Sequence, residues 1–116
     1  MHYEKIVPVS RQEAEVAFHS GTVEEIAKAL LSVTFYDADW QWVQSHCLKF
    51  LESHDKDVRA IAATCLGHLA RIHKTIDIAT VIPALQAHLL DPDVAGRVSD
   101  ALDDIEMFVR DVPTDE

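Results

Sequence analysis

Seven histidines, two cysteines and twenty carboxylates supply the side chains that could ligate a metal or move protons. Their spacing decides whether such chemistry is on offer. Cys65 and His68 stand three residues apart, near enough on one helix to share an ion. Cys65 falls on an apolar helical face, however, and no second close pair completes a ligand set. His46 and Cys47 are neighbours, which on a helix point in different directions. Core cysteines and surface histidines account for these positions, so neither a metal nor a cofactor is expected. The carboxylate pairs Glu24-Glu25 and Asp103-Asp104 lie on helical segments without burial signals, and a solvated carboxylate makes a poor acid–base catalyst. No glycine-rich turn offers a phosphate cradle or a nucleophile elbow. The expectation is a protein that is not an enzyme.

Binding chemistry is better supplied. In the tract Phe35-Tyr36-Asp37-Ala38-Asp39-Trp40-Gln41-Trp42, Trp40 continues an apolar stripe, whereas Trp42 lies about 200° further round the same helix. Trp42 either packs on a preceding helical pair or stands exposed. An exposed indole beside Asp37 and Asp39 has the composition of an anchor for a protein partner. Near the C-terminus, Asp100, Asp103 and Glu106 fall away from the apolar stripe and form a candidate acidic ridge.

The elements that must carry these residues are six helices. Ser10 with Glu13 and Thr22 with Glu25 have capping-box spacing, and Gly21 between them closes the first helix. Val23, Ile26, Ala27, Leu30, Leu31 and Val33 give the second helix its 3.6-residue period. Asp37 and Asp39 open a third, Asp55 a fourth and Thr75 or Asp77 a fifth. Asp91 is expected to cap the sixth, with Pro92 in its first turn, where a missing N–H is harmless. No strand pattern competes.

The helices repeat. A shift of 36 takes Asp55 to Asp91, Asp57 to Asp93, Val58 to Val94, Leu66 to Leu102 and Ile72 to Phe108. A shift of 38 takes Trp40 to Ile78, Val43 to Val81 and Leu51 to Leu89. That period marks stacked helical pairs. Asp55, Val58-Arg59, Ala62-Ala63 and Leu66-Gly67 resemble the turn and second helix of HEAT repeats. Val81-Ile82-Pro83-Ala84-Leu85 with Asp91-Pro92-Asp93-Val94 is similar to a further unit. Ala95 there replaces the arginine and Asp103 the glycine. The resemblance implies an all-α, right-handed α-α superhelix of about three pairs in one domain. The units are 9–36 as a capping pair, 39–73 as a central pair and 76–110 as a last pair, followed by an acidic tail at 111–116. It also implies a concave surface made by the second helices. There the acidic ridge would join Glu24, Lys28, Thr64, His68 and Arg71.

The 116 residues carry a formal charge of −10, which disfavours free nucleic acid and anionic membranes as partners and leaves a basic protein as the candidate. There is no apolar run of membrane-spanning length and no signal peptide is visible, and with only Cys47 and Cys65 a reduced, cytoplasmic setting is expected. Small acidic HEAT-like proteins resemble the immunity proteins of bacterial toxin systems. The likeness implies binding and neutralisation of a basic, nuclease-type toxin through Glu24, Asp37, Asp39, Trp42, His68, Arg71, Asp100, Asp103 and Glu106. A general HEAT-like adaptor or assembly factor is the alternative from another class. A HEAT-type DNA glycosylase-like enzyme is a third reading, which the negative charge opposes.

Overall fold

A computed structural model describes residues 6–109. Among these described residues six helices follow one another: α1 (Arg11–Ser20), α2 (Val23–Tyr36), α3 (Trp40–Phe50), α4 (Lys56–His73), α5 (Ile78–Gln86) and α6 (Ala95–Phe108). Both expected capping boxes form. Ser10 accepts the Glu13 N–H while Glu13 accepts that of Ser10, and Thr22 and Glu25 do the same. Each cap stabilises its helix by about 1 kcal/mol. Between them, Gly21 leaves room that a side chain would deny, because a Cβ there would lie 2.6 Å from the Ala17 carbonyl oxygen.

Pairing follows from the apolar stripes. The second helix of each pair lies in an inner row, with α4 packed against α2 on one side and α6 on the other, while α1, α3 and α5 lie on their own partners. Leu30, Leu51, Leu66, Leu69 and Leu85 are fully buried between the layers. Burial of each is worth roughly 1.5–3 kcal/mol. Alanines and a glycine let α4 approach its neighbours closely: Ala62, Ala63, Gly67 and Ala70 are buried. A Cβ on Gly67 would sit 3.2 Å from the Ala101 Cα of α6. Cys47 and Cys65 are free thiols in this core, where their mutual hydrogen bond and then burial push the Cys47 thiol well above its ordinary pKa.

Polar bonds lock the pairs in register. The Arg59 guanidinium of α4 donates to the carbonyls of Ser53 (3.0 Å) and His54 (3.1 Å), then bridges to Asp91 (3.3 Å) and Asp93 (3.6 Å) in the next turn. His88 meets Glu52 at 2.9 Å, and the Asp77 N–H donates to the buried Gln44 side chain at 2.8 Å.

Two local expectations change. Asp39 caps α3 by accepting the Trp42 N–H, whereas Asp37 instead closes α2 and accepts the Asp39 N–H. The sixth helix starts at Ala95, not directly after Asp91, and has no side-chain cap. Asp91 holds a tight turn by accepting the Asp93 N–H at 3.0 Å and spends its other oxygen on Arg59. Burying Val94 then places its backbone outside helical geometry, at φ −130°. The acidic tail at 111–116 lies outside the described residues.

Candidate functional site

Each second helix carries one stripe of exposed and half-buried residues. On α2 the stripe is Glu24, Lys28, Leu31 and Phe35, at the i, i+4, i+7, i+11 spacing that stacks side chains along one face. On α4 it is Thr64, His68, Arg71 and Ile72, and on α6 it is Arg97, Asp100, Asp104 and Met107. The three stripes lie side by side because their helices do.

Two seams divide this surface. Between α2 and α4, the Phe35 and His68 rings lie 5.0 Å apart, with exposed Ile72 one turn beyond. Between α4 and α6 the contacts are polar. Arg97 donates to the Thr64 hydroxyl at 2.9 Å, and Arg71 pairs with Asp104 at 3.7 Å. Arg71 also donates to His68 Nδ1. Partial burial, then the nearby Arg71 charge, holds the His68 pKa below its ordinary value. His68 thus joins the apolar seam to the polar one.

The sequence-derived residues fall into three groups. His68 and Arg71 meet on the open face, while Glu24 lies at the other end of α2 from the Phe35–His68 contact and Asp100 stands exposed on α6. Asp103 and Glu106 are exposed but turn about 60° and 120° from Asp100, toward the flank of α6 away from α4. Asp37, Asp39 and Trp42 form a separate corner between α2 and α3. Trp42 packs there on the first pair, its ring centroid 6.4 Å from Phe18 and 4.7 Å from His46, while Phe18 also meets Phe50 at 5.3 Å.

This corner is already occupied from within the chain. Arg11, the first residue of α1, reaches Asp37 at 3.2 Å and Asp39 at 2.9 Å, and its guanidinium lies 4.3 Å from the Trp42 ring centre. Hydrogen bonds from Arg11 hold both carboxyls below the usual aspartate range. Burial between Phe18 and Trp42 lowers the His46 pKa, with the Lys49 charge adding to it.

Sequence reasoning missed Arg11, Phe35, Arg97 and Asp104. For Arg11 a faint signal existed: a cation in the first turn of a helix opposes the macrodipole and needs another reason to be there. Charges on the open face alternate in sign, with Glu24 3.5 Å from Lys28. Carboxylates gather instead at the turns, where Asp91 and Asp93 meet the largely covered Arg59, Glu52 meets His88 and Asp55 caps α4. Among the described residues no group of three or more potential ligands could hold a metal ion. No described helix is long and apolar enough to cross a membrane.

Paired helices, an inner row joined by an aspartate–arginine rung and small residues at the seams define an α-helical repeat protein. The HEAT-repeat profile matches residues 43–73, which span most of α3 and all of α4. No curated protein matches the chain. A chain in the crystal structure of the CDI complex from Cupriavidus taiwanensis LMG 19424 is 34% identical, with a TM-score of 0.84, over 93% of this chain and 97% of that one. The protein belongs to the HEAT-repeat family and is a homologue of that CDI-complex chain.

Proposed function

We propose that this protein is an immunity protein that binds a cognate toxin of a contact-dependent inhibition system and neutralises it in the cytoplasm by occlusion, performing no chemistry itself. The observation that carries this reading is the near end-to-end likeness, at 34% identity, to a chain of a CDI complex. The open face of α2, α4 and α6 supports it physically. Phe35, His68 and Ile72 offer an apolar centre, and Arg71, Arg97, Asp100 and Asp104 offer directional polar bonds around it, the layout of a protein–protein interface. The acidic turns and the Asp103–Glu106 flank add a field that attracts a basic toxin, such as a nuclease whose cleft binds phosphates, and speed its capture.

The test is co-expression with the product of the adjacent gene, followed by copurification at rising salt. A complex that rescues cells from an otherwise lethal neighbour supports immunity, and slower association at high salt supports steering by charge. A stable complex with a harmless protein favours an adaptor. Failure to bind or protect against any adjacent gene product sinks the immunity reading.

A further inference from the structure

The corner between α2 and α3 has the parts of a guanidinium receptor, although Asp37 Oδ1 also accepts from Arg11 at 3.3 Å. Asp37 Oδ1 is fixed by the Asp39 N–H at 2.8 Å, and Asp39 Oδ1 by the Trp42 N–H at 3.1 Å. Backbone bonds therefore aim the two carboxylates. Asp37 Oδ2 and Asp39 Oδ2 take the cation at 3.2 and 2.9 Å, and the Trp42 face closes the third side. Two carboxylates and an aromatic face suit a planar, forked cation better than an ammonium.

Arg11 holds the corner from a partly exposed position. Its side chain is 45% exposed, as is nearly half of Asp39. It also places a positive charge at the N-terminal end of α1, where the helix dipole disfavours it. Its own helix buries a single residue, Ala14. We propose that the Asp37–Asp39–Trp42 corner is an arginine-recognition site, self-occupied by Arg11 in the free protein and taken over by an arginine of the bound toxin. The takeover half rests on the immunity reading; the receptor half stands on the geometry of the corner alone. Self-occupation would also make the site selective, because only a guanidinium presented with further contacts can outcompete a tethered one.

The receptor is tested by titrating N-acetyl-argininamide into the Arg11→Ala protein while following the Trp42 indole resonance by NMR. Saturable shifts confined to residues 37–42 are expected, with N-acetyl-lysinamide binding more weakly and the unmodified protein about tenfold more weakly. A folded Arg11→Ala protein that gives no saturation overturns the proposal. So does one that loses its helical circular dichroism, since a residue the fold requires is not exchangeable. With a toxin in hand, Arg11→Ala is expected to tighten the complex, whereas Asp37→Asn with Asp39→Asn weakens it. Weakening by Arg11→Ala overturns the takeover. Absence of any toxin complex sinks the immunity reading while leaving the titration result in force.

Discussion

Arg59 shows how much a single side chain can carry. Only 16% exposed, it satisfies two turn carbonyls with one nitrogen and meets two aspartates with another. Its removal leaves those acceptors without their charged donor, so Arg59→Ala is expected to cost about 2–4 kcal/mol in urea unfolding. The identity of this residue was legible, because Asp55, Val58 and Arg59 sit in a recognisable pattern. The Arg11 contacts were not, because Asp37 and Asp39 lie 26 and 28 residues away and no local spacing links them. Two histidines set a pH response. His46 and His68 have folded pKa values below the ordinary one, so the unfolded chain binds their protons more readily. Their contribution is fully present above about pH 6.5 and is lost as pH falls toward the folded values. Melting temperatures recorded from pH 7.5 to 5 should therefore decline, and His46→Phe should flatten the slope.

For the helices, what could be read was what local chemistry determines. Capping boxes at Ser10 and Thr22 and periodic apolar stripes gave α1 and α2 directly. The start of α6 escaped because Asp91 has a stronger tertiary employment, holding Arg59, than capping its own helix. The two seams also escaped, since Phe35 and His68 belong to different helices and meet only when those helices pack. The closest packing lies between α4 and α6. Gly67→Ala improves helix propensity yet drives a methyl against the Ala101 backbone and the Asp104 carboxylate. A net loss of about 1–2 kcal/mol is expected by thermal or urea unfolding, and Gly67→Leu should separate α6 from the stack. An unchanged stability for Gly67→Ala would show that the two helices can slide apart at little cost.

At the scale of the molecule, the repeat and its period were legible because they are written in order along the chain. Which surface meets a partner was not, because charge composition reports how many carboxylates exist and not where folding gathers them. If the open face binds the toxin, Phe35→Ala should weaken the complex about tenfold or more without lowering the melting temperature by more than a few degrees. Calorimetric titration alongside a thermal melt separates the two effects. The rung from Arg59 to Asp91 and Asp93 has one more consequence. The central unit contains a donor in Arg59 and, at Asp55 and Asp57, carboxylates that correspond by the 36-residue shift to the acceptors of the following unit. The last unit keeps the acceptors but has Ala95 where a donor would stand. The units are thus not interchangeable modules: a second copy of residues 39–74 spliced after Lys74 finds a socket on both sides, whereas a second copy of the last unit leaves its joint unfastened. The molecule can be lengthened from its middle, and a four-pair version built that way should gain helical signal and melt cooperatively.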